Sequence, residues 1–375
     1  MIKRIGVIGG GQLAWMMAGA AKKLGFDLIV QTPNRSDPAV AIATATILAS
    51  IEDAIATAKL SDRVDVITFE NEFVDLNALN QLAQNVCFRP SLKSLQPLLD
   101  KYDQRCFLKT HNLPTPKFWA LEALPQPVSF PIVLKSRRFG YDGYGTFIVR
   151  DSSTWNEIVQ KFSTTPAIVE EFVPFERELA VMAARSITGE MVVYPIVETQ
   201  QENQVCHRVI VPAQISESVR QEIDAIARSI LQNLQAVGIF GIELFLTQDD
   251  SVLVNEIAPR THNSGHYTLD ACTTSQFEQQ LRAVGGLPLG DAALTCAGAV
   301  MVNLLGYEHA ETDYIQKRQE IAALPNTVVH WYGKSESRPG RKLGHVTVRL
   351  SANLNELRQQ ALQVAGAIES IWYKP

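Results

Sequence analysis

Two glutamates near the middle of the chain are spaced to share a cation. In Gly241–His266, GIELFLTQDDSVLVNEIAPRTHNSGH, two apolar runs flank the polar tetrapeptide Gln248–Ser251, the pattern of a hairpin with a four-residue connection. Pairing Thr247 with Val252 sets Glu243 directly opposite Glu256, on one face with Phe245 and Val254. Like charges directly opposite destabilise a sheet, so either one carboxyl is protonated or a hard cation lies between the two. Asn255, Arg260, His262 and Asn263 crowd the end of the second strand. The competing reading is an exposed hairpin in another register, with both charges in water.

Three further stretches carry anion chemistry. In PIVLKSRRFGYDGYGTFIVRD, Pro131–Leu134 and Thr146–Val149 read as strands, and the segment between them holds Lys135, Arg137, Arg138, Gly140, Gly143 and Gly145. A glycine-spaced loop offers backbone N–H groups to an anion, and a lysine at the end of the feeding strand adds charge. The spacing is not that of a Walker A loop, no helix follows, and Asp142 stands among the cations. Near the C-terminus, Lys334 and Arg338-Pro339-Gly340-Arg341-Lys342 concentrate positive charge in a turn between the strands Val328–Tyr332 and Val346–Leu350, which reads equally as a phosphate pocket or as a solvated turn. At the N-terminus, Gly9, Gly11 and Ala14 satisfy G-x-G-x-x-A between the strand Ile5–Ile8 and the helix Leu13–Leu24. The next strand, Phe26–Val30, ends without the acid that would hold a ribose hydroxyl. That disfavours a nicotinamide dinucleotide and leaves a phosphate-bearing small molecule at a helix N-terminus.

These stretches need a scaffold, and the elements between them supply one. Strand, glycine turn, helix and strand at the N-terminus open a doubly wound sheet. The rhythm continues through a helix at Glu52–Leu60, a buried strand at Val64–Phe69, a helix at Leu76–Gln84 and a short strand at Val86–Phe88. Glu70-Asn71-Glu72 lies at a strand's C-terminal end, where open α/β sheets bind ligands, although a solvated acidic loop is the slightly favoured reading. The first domain closes near Pro97. An amphipathic helix spans Asp100–His111, with Phe107 and Leu108 inward and its charges outward. Strands follow at Ala167–Val173 and Glu178–Ala184, divided by Pro174, then a helix at Ser218–Gln235, a helix at Ser275–Val284 and a buried strand at Ala297–Leu304.

Composition narrows the class. A chain of 375 residues, 46% hydrophobic and 19% charged, has room for two or three domains with substantial cores. Its net charge of -5 gives no general attraction to nucleic acid or anionic membrane. Five scattered cysteines without a CxxC pair argue against both a disulfide framework and a zinc site, and fit a reducing compartment. No signal core or membrane-length apolar run interrupts this pattern, which predicts a soluble cytoplasmic protein.

Taken together, the strand lysine before a glycine lid, the acidic strand pair before a hinge, and Glu…Asn-Glu on a hairpin resemble the ATP-grasp ligases. GGGQL, KSRRFGYDGYG, NEIAPRTHNSGH and RPGRKLGH resemble the 5-(carboxyamino)imidazole ribonucleotide synthases of purine biosynthesis, over nearly the whole chain. The resemblance implies an α/β and α+β architecture: a Rossmann-like domain over 1–98, an ATP-grasp domain over 99–295 with a lid at about 117–173, and a small β-rich C-terminal domain over 296–375. It implies an ATP- and bicarbonate-dependent carboxylation of 5-aminoimidazole ribonucleotide through carboxyphosphate, in a homodimer that engages neither nucleic acid nor membrane. Lys101 and Lys135 would touch the ATP phosphates under the lid residues Gly140, Tyr141, Asp142, Gly143, Tyr144 and Gly145. Glu170, Glu171, Phe172 and Val173 would meet adenine, Glu178 the ribose, and Gln201 would stand in for a histidine common in the family. Glu243 and Glu256 would ligate Mg²⁺, or Mn²⁺ in its place, with Asn255 alongside. Asp142 would face the aminoimidazole and accept its amine proton, with Arg260 and His262 near the transferred carboxyl. Gly10, Gln12, Glu72, Tyr141, Asn263, Ser264, Lys334, Arg341 and Lys342 would hold the ribonucleotide.

Several positions depart from the family pattern: Phe139 for a glycine, Tyr144 for a base, Gln201 for the histidine and Trp15 for a basic residue. Two alternatives stay open. A different ATP-grasp ligase, such as a formate-using glycinamide ribonucleotide transformylase or an amino-acid ligase, would share the nucleotide half. A nucleotide-binding oxidoreductase or a binding module would rest on Gly9–Ala14.

Overall fold

The structure is a computed structural model and describes residues 2–374 apart from 126, 127, 139, 141–144, 163 and 335. Its N-terminal part is a four-stranded parallel sheet in the order Ala45–Leu48, Asp27–Thr32, Arg4–Ile8, Val66–Phe69. Gly11 ends the first turn and the helix Gln12–Leu24 follows, closed by Gly25 at φ 73°. Met16 and Met17 on that helix are core residues, packed against Phe277, Leu281 and Val284 of the helix Gln276–Gly285. The expected strand at Val86–Phe88 is reduced to one bridge between Ile67 and Phe88, since Pro90 has no N–H to continue the ladder.

A nine-stranded, antiparallel sheet forms the body. At one end, Val252–Ala258 forms the edge and pairs with Gly238–Thr247, which Phe175–Arg185 flanks on its other side. The sheet runs on through Val197–Glu202 and Val205–Val211 into Gly298–Leu305, Lys342–Leu350 and the edge strand Thr327–Trp331, so the C-terminal segment extends the same sheet. The long helix Glu217–Leu234 covers one face. Val219, Ile223, Ile226, Ile230 and Leu231 recur at helical spacing and pack on Leu244, Leu246, Val252 and Val254. The terminal helix Leu354–Trp372 covers the C-terminal strands in the same way.

A second four-stranded sheet, ordered Phe118–Ala120, Ala167–Glu171, Ile132–Ser136, Thr146–Val149, stands over the body. None of the described helices is long and apolar enough to cross a membrane.

Candidate active site

Alternation along Gly238–Thr247 buries Leu244 and Leu246 against the long helix and turns Glu243 and Phe245 into the cleft below the small sheet. Glu243 does lie opposite Glu256. The expected route to that pairing needs correction, however. At the hairpin tip Val252 pairs with Leu246, not Thr247, and Val254 pairs with Leu244 in the core, not beside the glutamates. A β-bulge then adds Asn255 to the outer strand. One extra residue inverts the alternation, which is how Val254 can face the core while Glu256 faces the cleft.

Two lysines from different elements close on this pair. Asp100 caps the helix Lys101–Thr110 by accepting from the Tyr102 and Asp103 amides, which leaves Lys101 on the first turn with its Nζ 2.5 Å from Glu256. Lys135, on Ile132–Ser136, places its Nζ 2.7 Å from Glu170 and 3.3 Å from the Asn255 side-chain oxygen. Arg105 completes the cluster: its Nε is 2.7 Å from Glu170, and its guanidinium also donates to the Val254 carbonyl at 3.1 Å. The amphipathic reading put this helix's charges outward, yet Arg105 is only 2% exposed. Its spacing of four from Lys101 was the available signal, since both share one helix face.

The electrostatics separate the acids. Burial would raise Glu170, but the Arg105 and Lys135 charges outweigh it and hold the carboxyl near 2. Burial, then the facing Glu256 charge and Glu178, push Glu243 up to about 7. Glu178 is likewise raised to about 7 by burial, with only Lys135 opposing. For Glu256, burial is overcome by Lys101, which keeps that carboxyl low. A cleft in which one of two facing carboxyls is held back from ionising is short of positive charge, and two carboxylates beside an amide oxygen are hard donors of the kind Mg²⁺ takes.

Beyond the hairpin, Arg260 grips Glu72 in a bidentate pair at 2.5 and 3.0 Å across 188 residues. The acidic run after Val66–Phe69 is therefore no solvated loop. Glu70 receives the Leu13 amide at 3.3 Å, and a Cβ at Gly9 or Gly11 would meet its carboxylate at 2.5 Å. The dinucleotide-like glycines thus make room for the protein's own carboxyl at the helix N-terminus, a role the sequence pattern concealed. Burial pushes Glu70 upward in pKa against the pull of Arg260. His262 lies 3.6 Å from Glu243 through Nε2, with Nδ1 2.9 Å from Ser264 Oγ. Burial and then the Arg260 charge lower its pKa to about 4, so the ring is neutral at pH 7.

Gln276, fully buried and absent from the sequence expectations, clasps His262 from both sides. It accepts from the His262 amide at 2.8 Å and donates to the His262 carbonyl at 2.8 Å. Asn263 points elsewhere: its amide exchanges two hydrogen bonds with Asn303, at 2.9 and 2.8 Å. One donor and one acceptor of each side-chain amide are thereby engaged, so Asn263 holds the loop to Gly298–Leu305.

The remaining expected residues divide. Lys334 Nζ lies 2.7 Å from Gln12 Oε1 and 2.7 Å from the Lys342 carbonyl, joining the basic turn to the N-terminal glycine turn that contains Gly10. Arg341 turns to Glu336, donating to its carbonyl at 2.8 Å. Val173 is buried, Glu171 accepts from the Lys117 amide at 2.9 Å, and Phe172 lies under the Arg150 guanidinium. Phe175 stacks on Phe245 with ring centroids 4.7 Å apart. Gln201 follows a bulge two residues beyond Thr199, the partner of Glu178. Gly140 and Gly145 are described, Gly145 at φ 79° against Ser136. Phe139, Tyr141, Asp142, Gly143 and Tyr144 lie outside the described residues.

A small sheet closing over a larger one, with lysines from above and an acid pair below, defines an ATP-grasp ligase. Matching domains bear this out: a ribonucleotide synthetase preATP-grasp domain over residues 2–97, an ATP-grasp domain over 106–277 and a phosphoribosylaminoimidazole carboxylase C-terminal domain over 299–360. The chain belongs to the N5-carboxyaminoimidazole ribonucleotide synthase family. It is 54% identical to the synthase of Synechococcus elongatus, over 100% of this chain and 96% of that one. The Thermotoga maritima synthetase structure superposes with a TM-score of 0.87 at 40% identity, covering 98% of each chain. The Aspergillus clavatus synthase, solved with ADP and 5-aminoimidazole ribonucleotide, superposes with a TM-score of 0.88 at 30% identity, covering 97% of this chain and 99% of that one.

Proposed function

We propose that the protein carboxylates 5-aminoimidazole ribonucleotide at the expense of ATP and bicarbonate. A bicarbonate oxygen attacks the γ-phosphorus, ADP leaves, and carboxyphosphate forms. The exocyclic amine then attacks the carboxyl carbon, the bond to phosphate breaks, and Asp142 takes the amine proton. The observation that carries this reading is the convergence of Lys101 and Lys135 on Glu256 and Asn255, with Glu243 beside them and neutral His262 on its far side.

In this reading Lys101 and Lys135 bind ATP phosphates beneath Gly140–Gly145, residues Glu170–Val173 line the adenine and Glu178 the ribose. Glu243, Glu256 and Asn255 would hold Mg²⁺ (Mn²⁺ serving equally), which when bound neutralises charge developing on the transferred phosphoryl group. Arg260, fixed by Glu72, and His262, fixed by Gln276, orient the carboxyl. Gln12, Lys334 and Lys342 take the ribonucleotide's phosphate. The lid excludes water that would hydrolyse carboxyphosphate. Domain limits at 1–98, 99–295 and 296–375, a homodimer and a cytoplasmic setting belong to the same proposal.

ADP release assayed with 5-aminoimidazole ribonucleotide, with and without bicarbonate, tests it. Turnover should require both. Stimulation by glycinamide ribonucleotide in place of the aminoimidazole substrate would move the chain to another ATP-grasp activity.

A further inference from the structure

Among the described residues, Asp270, His330 and His345 each bring one ligand-type atom within 4.8 Å of the others. None belongs to the groups assigned above to ATP, to its cation or to the ribonucleotide. His330 and His345 face each other on the antiparallel strands Thr327–Trp331 and Lys342–Leu350. Asp270 arrives from the short helix Thr268–Ala271, and its two oxygens lie 2.9 and 3.2 Å from His330 Nε2. That is close to the separation, about 3.3 Å, of two donors bound to one tetrahedral ion at 2.0–2.1 Å.

His345 supplies the independent observation. Its ring is fully buried, with Nδ1 2.8 Å from the Tyr332 hydroxyl, and among the described residues its Nε2 finds no hydrogen-bond partner. Buried polar atoms are rarely left so. We infer that Asp270, His330 and His345 form a second cation site, for a divalent transition metal of the zinc type. The donor set chooses the metal: two imidazoles and one carboxylate suit zinc and its neighbours, whereas Mg²⁺ and Ca²⁺ take oxygen. Tyr332 would orient His345 from the second nitrogen, as outer partners of metal-bound histidines do. The rings now stack at 4.5 Å, 16° from parallel. His330 lies on the edge strand with 22% of its side chain exposed, so its ring has room to turn toward convergence. Three protein ligands leave a fourth position for water.

Such an ion would pin the C-terminal strand pair to the ATP-grasp body. Lys334 lies 5.4 Å from the Tyr332 ring, so the pin would sit beneath the proposed phosphate turn. The inference is independent of what the enzyme carboxylates.

Zn²⁺ and Co²⁺ titrated into chelator-treated, full-length protein without nucleotide provide the test. Wild-type protein should bind one Zn²⁺ and, with Co²⁺, give the strong visible absorption of a four-coordinate nitrogen and oxygen site. His330→Ala and Asp270→Asn should each weaken Zn²⁺ binding by about tenfold or more, while Glu243→Gln leaves it unchanged. Zinc should raise the melting temperature of wild type but not of His330→Ala. Absence of zinc binding, binding that survives both substitutions, or binding abolished by Glu243→Gln would overturn the assignment. Should one variant fail to fold, the other decides: unweakened Zn²⁺ binding in it overturns the assignment.

Discussion

Glu243 shows how one residue trades stability for a binding site. Burial and the Glu256 charge raise its pKa from 4.5 to about 7, so the folded protein holds that proton more tightly than the unfolded chain does. The associated stability is present below about pH 4.5 and is lost as pH rises through about 7. Glu243→Gln keeps the shape and removes the charge. Without metal or nucleotide at pH 8, this variant should be more stable by about 2 kcal/mol in denaturant unfolding. The same variant should lose Mg²⁺-dependent turnover by about 100-fold or more. Loss of stability in the variant would contradict the strained acid pair. Gly9 makes a simpler case: φ is 116° and a Cβ would lie 2.5 Å from Glu70. Gly9→Ala should cost about 2–3 kcal/mol, read from the shift in unfolding midpoint.

At the scale of elements, the buried cluster of Arg105, Glu170 and Lys135 ties the helix Lys101–Thr110 to the small sheet and, through Asn255, to the hairpin that carries the glutamates. Glu170's depressed pKa gives a stabilisation present above about pH 4.5 and lost as pH falls toward 2. Removing Arg105 leaves Glu170 with one counter-charge instead of two. Arg105→Ala should therefore destabilise the protein by about 3 kcal/mol and move acid unfolding to higher pH, followed by circular dichroism against pH. An unchanged acid transition would show that Lys135 suffices. The helix itself was legible from the amphipathic spacing of Asp100–His111. The burial of Arg105 was not, because periodicity ranks an arginine as a surface residue and takes no account of a carboxylate arriving from another sheet.

The whole molecule decides how the basic turn is used. Lys334 meets Gln12 across 322 residues, so the first and last parts of the chain jointly form the proposed phosphate site. Lys334→Met should raise KM for 5-aminoimidazole ribonucleotide by about tenfold, the loss expected for a hydrogen bond to a charged group, and leave KM for ATP within about twofold. Equal rises in both would assign Lys334 to general stability. Joining the C-terminal strands to the body sheet serves the same end, since Asn263 and Asn303 connect the loop after Glu256 to Gly298–Leu305.

By itself the sequence determined the local elements and the chemistry they could carry: the parallel opening unit, the glutamate-bearing hairpin, the lysine before the lid and the basic turn. Those follow from spacing, because alternation and helical period are properties of neighbours in the chain. Only the tertiary structure decided the bulge at Asn255 that turns Glu256 into the cleft. It also decided that Glu70 fills the glycine turn, that Glu72 holds Arg260, and that Asn263 serves Asn303. Each of these depends on sheet register or on contacts between segments far apart in sequence, where burial and charge pairing outweigh local preference.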